Sequence, residues 1–126
     1  MSEHPNAVLV RELVEMLVRD DLAGVSELIA DDVVWHYIGG AEPVRGKEAM
    51  ITGLRLSGNA DWTITAQIHD VTASDDHAVA LLNTHATRGD RTLDCDTAEV
   101  YHIKDGKVRA HWACSDDTAR IIEFYT

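Results

Sequence analysis

Val10, Leu13, Val14, Leu17 and Val18 recur at three- and four-residue spacing, with Arg11, Glu12, Glu15 and Arg19 on the other positions. This is the stripe of an amphipathic helix, and Pro5 can begin it. Leu22, Val25, Leu28 and Ile29 repeat the spacing over a shorter length behind Asp20-Asp21, which can cap a second helix. Asp31-Asp32 stops that helix on this reading, and the branched and aromatic run Val33-Val34-Trp35-His36-Tyr37 predicts a strand. Gly39-Gly40 and Pro43 make a loop, and Gly46 to Leu56 predicts a third helix.

From there the period changes. Trp62, Ile64, Ala66 and Ile68 alternate with Thr63, Thr65 and Gln67, as in a half-buried strand. Asp75-Asp76 turns the chain, Ala78 to Arg88 predicts the next strand, and Arg88-Gly89-Asp90-Arg91 has the composition of a tight hairpin. With Gly89 and Asp90 as its central residues, Thr84 lies opposite Cys95, Leu82 opposite Thr97 and Ala80 opposite Glu99. The other face then pairs His85 with Asp94 and Asn83 with Asp96, a more polar set suited to solvent or a subunit contact.

A second turn, Lys104-Asp105-Gly106-Lys107, joins this strand to one carrying His111 and Trp112. Asp-Gly can form a two-residue loop or a three-residue loop with a bulge at Gly106. The bulge would set Glu99 against His111, the tight turn against Trp112. After the last strand, Asp116-Asp117 can cap a short terminal helix through Ile121, Ile122 and Phe124.

Length and charge narrow the possibilities. A chain of 126 residues fits one domain, 1–126, with a single core. Its 22 acidic residues against 11 Lys and Arg argue against a nucleic-acid partner. No apolar run is long enough to span a membrane, and Met1 to Pro5 lacks a basic start before an apolar core, so a cytoplasmic location is expected. Cys95 and Cys114 are expected to be buried reduced thiols. There is no Cys-x-x-Cys, His-Glu-x-x-His, Gly-Lys-Ser or Gly-x-Ser-x-Gly pattern, so neither a cofactor nor a metal is expected.

Glu99 and His111 are the candidate chemistry. On one enclosed face, a carboxylate and an imidazole on neighbouring strands are placed for acid-base work. Trp35 and Tyr37 alternate onto one face of the first strand, and the Tyr37 hydroxyl needs a partner when buried. Thr84, Thr97, Tyr101 and Ser115 would line the same space, with Trp112 as the alternative to His111. His36, His85 and His102 fall on the opposite faces, and Asp94 and Asp96 are outer-face acids.

The order helix, short helix, strand, loop, helix and antiparallel strands is similar to the nuclear transport factor 2-like α+β cone. The stretches Asp31 to His36, Gly40 to Ala49, Tyr101 to Val108 and Trp112 to Phe124 resemble its SnoaL-like branch. That branch includes polyketide cyclases and is related to ketosteroid isomerases. The resemblance implies a cone-shaped curved antiparallel sheet packed by N-terminal helices, a fold of the α+β barrel type. It also implies a mostly apolar, oxygen-bearing small-molecule ligand, while the exposed outer-face residues predict a homodimer through the sheet. In the isomerase pattern the oxyanion-hole tyrosine falls on Leu13 and the catalytic aspartate base on Tyr37. Leu13 cannot donate a hydrogen bond and Tyr37 is a poor base near neutral pH, so authentic ketosteroid isomerase activity is not expected. The protonated aspartate of that pattern falls on Glu99. One deletion at Asp105-Gly106 brings His111 onto a pocket-lining position, which favours the bulged turn. The limonene epoxide hydrolase pattern fits less well, since no inward Arg can be placed. The implied activity is therefore a small cofactor-independent enzyme of cyclase, isomerase or dehydratase type, with a non-catalytic homodimeric binding domain as the alternative.

Overall fold

A computed structural model describes residues 3–40, 42–57 and 60–126. Met1 and Ser2 at the chain start, and Ala41 in the Gly40 to Ala49 stretch, lie outside the described residues. Helix α1, Pro5–Val18, buries Ala7, Val10, Leu13 and Val14, while Val18 at the end of the stripe is exposed. Each fully buried Val or Leu contributes about 1.5–3 kcal/mol relative to exposure. Helix α2, Leu22–Leu28, starts at Asp21, whose side chain accepts from the Gly24 amide at 3.0 Å.

The first strand, β1, runs Ile29–Trp35 and so corrects both of its expected ends. Ile29 and Ala30 are strand residues, and Asp31-Asp32 lies inside the strand with both side chains in solvent. The pairing of β1 shifts register between Ile29 and Val34, which lets two consecutive acids face water without interrupting the strand. Tyr37 falls beyond the strand, where its carbonyl accepts from the Gly40 amide at 3.0 Å. A two-residue strand not foreseen from the pattern, β2 at Val44–Arg45, precedes helix α3, Lys47–Ser57. Strands β3 (Thr63–Ala73), β4 (His77–Arg88), β5 (Arg91–Lys104) and β6 (Lys107–Ser115) follow, and helix α4, Thr118–Tyr125, closes the chain with Asp117 as its cap.

The six strands form one curved sheet in the order β2-β1-β6-β5-β4-β3, not closed into a barrel. All neighbours are antiparallel except β1 and β6, which run parallel. The α1 helix packs across β3 and β4, and α3 against β1. The β4–β5 hairpin has the register read from the sequence: Thr84 opposite Cys95, Leu82 opposite Thr97, Ala80 opposite Glu99. Gly89 takes φ +62°, a conformation that L side chains rarely adopt, so the turn and with it the whole register are fixed at that residue.

The second hairpin has the tight two-residue turn, but not the facing expected with it. Lys104 pairs with Lys107 around Asp105 (φ +55°) and Gly106 (φ +72°), so the loop has two residues. The extra residue sits two positions further on. Ile103 pairs with Val108 but His102 with Ala110, leaving Arg109 as a bulge in β6. Glu99 therefore lies directly opposite Ala113, and His111 opposite Tyr101. Because one inserted residue reverses every later side chain, the bulge turns His111 inward and Trp112 outward. Nothing lies within 4 Å of a side chain added at Gly106, so steric contact is no obstacle there. Replacing Gly106 by Ala is nevertheless expected to cost about 1–2 kcal/mol, from the positive φ alone; an unchanged denaturation midpoint would show that the turn relaxes instead.

Candidate functional site

Two clusters of buried apolar residues fill the inner side of the sheet. The larger contains Val10, Leu13, Trp35, Met50, Ala80 and Tyr101, and the smaller Ala86, Leu93, Cys95, Ile121 and Phe124. Between them the inner-face residues are only half-buried: Thr84 on β4, Thr97 and Glu99 on β5, Ala113 and Ser115 on β6. The change from buried to half-buried marks where packing by α1 and α3 ends and packing by α4 has not begun. A patch of hydroxyls and one carboxylate is thus left on an otherwise apolar wall.

His111 sits at the inner edge of this patch and is 3% exposed. Its Nε2 lies 2.9 Å from Glu99 Oε1, a diagonal contact between neighbouring strands on one face. With Glu99 ionised, the carboxylate can only accept, so Nε2–H donates. The imidazole is held in place by rings. It stacks on Trp35 with centroids 3.9 Å apart and planes at 17°, and Tyr101 lies 5.0 Å away at 51°. Trp35 reaches that position because β1 runs alongside β6 with Trp35 beside His111. Both the His36 amide, at 3.0 Å, and His36 Nδ1, at 2.9 Å, meet the His111 carbonyl oxygen and lock the two strands together.

Among the described residues, two buried side-chain atoms have no hydrogen-bond partner, His111 Nδ1 and Thr97 Oγ1. Leaving a buried polar atom unpaired costs about 1–3 kcal/mol, so such atoms call for an explanation. Tyr101 is 1% exposed, and burial, reinforced by the neighbouring Glu99 charge, holds its phenol well above the ordinary value. It stays a neutral wall. Burial also raises Tyr37, although 42% of that residue is exposed. Its hydroxyl end rests beside Gly53 of α3, where an added Cβ would stand 3.9 Å from the oxygen.

The remaining residues singled out from the sequence separate into groups. Leu13 is fully buried in the larger cluster. Ser115 Oγ is 2.9 Å from Thr118 Oγ1 at the start of α4. Trp112 does not line the inner space: it is on the outer face, 37% exposed, with its ring parallel to that of His36 at 5.6 Å. Trp35, expected as a ligand contact, has His111 against one ring face. That stacking was not foreseen, since nothing in the chain pattern announces that β1 pairs in parallel with the last strand. No helix among the described residues is long and apolar enough to cross a membrane.

The SnoaL-like domain family matches residues 10–111, and the chain belongs to that family. Three solved structures show the same fold. Bal32a, from a soil-derived mobile gene cassette, is 24% identical over 97% of both chains with a TM-score of 0.85. An epoxide hydrolase of the LEH-like type from Mycobacterium tuberculosis is 19% identical over 89% of this chain and 83% of its own, with a TM-score of 0.78. IdmH from Streptomyces antibioticus, provisionally a polyketide cyclase, is 21% identical over 98% of this chain and all (100%) of its own, with a TM-score of 0.76. No curated protein matches the sequence significantly.

Both cysteines are free, but the expectation of two buried thiols holds only for Cys95; Cys114 is exposed on the outer face. Burial pushes the Cys95 thiol up, and Asp116 and Asp96 add to it. A raised thiol stays protonated over more of the pH range and reacts more slowly. Iodoacetamide is therefore expected to modify Cys114 in the folded protein at dilutions that keep its outer sheet face open, with Cys95 reacting only at higher pH or after unfolding. Equal labelling of both at pH 8, read by peptide mass, would contradict the buried placement.

Proposed function

We propose that this chain is a cofactor-independent acid-base enzyme of cyclase, isomerase or dehydratase type. Its substrate would be a mostly apolar, oxygen-bearing small molecule held between the two apolar clusters. The observation that carries this reading is the enclosed Glu99–His111 hydrogen bond with Nδ1 left unpartnered. A carboxylate on Nε2–H fixes the tautomer, so the free lone pair falls on Nδ1, the atom that takes a proton from a carbon acid or a hydroxyl. As the ring becomes positive, Glu99 stabilises it across 2.9 Å. Tyr37 orients a carbonyl or hydroxyl at the α3 side, while Leu13, Thr84, Thr97, Tyr101 and Ser115 shape the space. Trp35 acts through His111, holding its ring, and need not touch the substrate.

Proton abstraction next to a carbonyl leaves a mark that does not require the natural product to be known. Incubated in D2O with a panel of hydroxylated aromatic ketones, the protein is expected to introduce deuterium beside the carbonyl of those it binds, as followed by NMR. Glu99→Gln and His111→Gln should each slow that exchange by about 10²–10⁴-fold. The first should leave the melting temperature nearly unchanged, because the amide oxygen still accepts from Nε2. Exchange that persists in both variants would remove these assignments. Binding without exchange in the unaltered protein would leave the alternative, a homodimeric binding domain without chemistry.

The homodimer belongs to either reading and rests on the outer sheet face. Leu81 is 41% exposed there, beside half-buried Val79, Ala98 and Val100, and a groove of about 530 Å3 runs past Leu81, Asn83, Asp96 and Cys114. An exposed apolar centre with hydrogen-bonded pairs at its margin, His85 with Asp94 and Asn83 with Asp96, suits a second copy. Sedimentation is expected to find a dimer that Leu81→Arg converts to monomer; a monomeric unaltered protein would overturn it.

A further inference from the structure

A row of rings crosses four neighbouring strands on the outer face: His36 beyond β1, Trp112 on β6, His102 on β5 and His77 on β4. Its last two members are out of the ordinary. His77 and His102 are paired across β4 and β5, and their Nε2 atoms stand 2.6 Å apart. The neighbouring pair carries the backbone bond, Ile103 amide to Asp76 carbonyl at 2.9 Å, so His77 and His102 occupy the close, non-hydrogen-bonded type of position. Trp112 stands edge-on to His102, with centroids 4.9 Å apart, and restricts its rotation. Both histidines are exposed and could have turned to water, yet the two ring nitrogens face each other.

We infer that His77 and His102 form a binding site for a divalent late transition metal, Cu(II) in preference to Zn(II). Metal–imidazole bonds of about 2.0–2.1 Å put two nitrogens about 2.9 Å apart at adjacent corners of a square-planar ion and about 3.3 Å apart on a tetrahedral one. From the present 2.6 Å, the square arrangement needs an opening of only about 0.3 Å, within reach of small side-chain rotations. Imidazole donors and the order of stabilities of divalent metals favour Cu(II) on the same side. No group of three or more His, Cys, Asp or Glu that could hold a metal occurs among the described residues. The site is therefore a two-histidine chelate whose other positions are filled by water. It lies on the opposite side of the sheet from the Glu99–His111 pair and is independent of the proposed acid-base reaction.

The test uses the full chain in a His4→Asn background, which removes an imidazole near the chain start as a competing ligand. Asparagine can still cap α1 there. Titration with copper sulfate is expected to quench tryptophan emission saturably at one equivalent, with Trp112 beside the metal. The electron paramagnetic resonance spectrum should show coupling to two nitrogens. Zinc should compete only at higher concentration. His77→Asn or His102→Asn should each weaken uptake at least about tenfold, and the double substitution should add little, as expected of one shared ion. Circular dichroism of each variant confirms that the fold is retained. Either single variant binding copper with unaltered affinity would overturn the site, and so would the absence of saturable uptake in the His4→Asn protein.

Discussion

A single inserted residue, Arg109, sets the relation between the backbone of this protein and its chemistry. The Lys104–Lys107 turn is of the tight two-residue kind, and continued without interruption it would direct Trp112 inward and His111 into solvent. The bulge reverses that assignment for the rest of β6. From it follow the contact of His111 with Glu99, its stacking on Trp35, and the exposure of Trp112 among histidines on the other face. Two faces of different character, one enclosed and one wet, are thereby specified by a local change in spacing.

The enclosed face is held from two directions. Sideways, β1 brings Trp35 alongside His111, and the His36 contacts with the His111 carbonyl oxygen prevent the strands from sliding. Above, α1 and α4 cover separate parts of the sheet and leave the hydroxyl-bearing middle between them. The Glu99–His111 contact is backed by packed rings, while the hydroxyl-bearing middle is left half-buried. Such a division suits a family whose members share a frame and differ in what they act on.

Much of this frame could be read from the chain. The Gly89 turn supplied a register for β4 and β5 that is correct pair by pair, because positive φ at one glycine leaves the strands no freedom to slip. Extended to its far end, that register also pairs His77 with His102. The start of β1 was misread because Ile29 satisfies both the helical spacing and a strand, and because two adjacent exposed acids look like a stop. Only a register shift in the ladder makes them compatible with a strand. The facing of His111 could not be decided, since Asp-Gly serves two kinds of turn and the irregularity lies at Arg109, beyond either. The family resemblance puts the one-residue change of spacing at the Asp105-Gly106 turn, whereas the structure puts it at Arg109. Trp35 as the support of His111 required knowing a parallel pairing between distant strands, which no local periodicity encodes.

That parallel pairing reaches beyond the resting structure. His36 and His111 are 75 residues apart, and the ladder between β1 and β6 is the long-range closure of the sheet. Contacts of such separation form late, after the entropy of joining distant segments has been overcome. During synthesis the helices and the β3–β4 hairpin can assemble as they emerge from the ribosome. The Glu99–His111 contact cannot, because His111 arrives with β6. Because β6 lies between β1 and β5, the same strand that brings His111 to Glu99 also joins the two halves of the sheet.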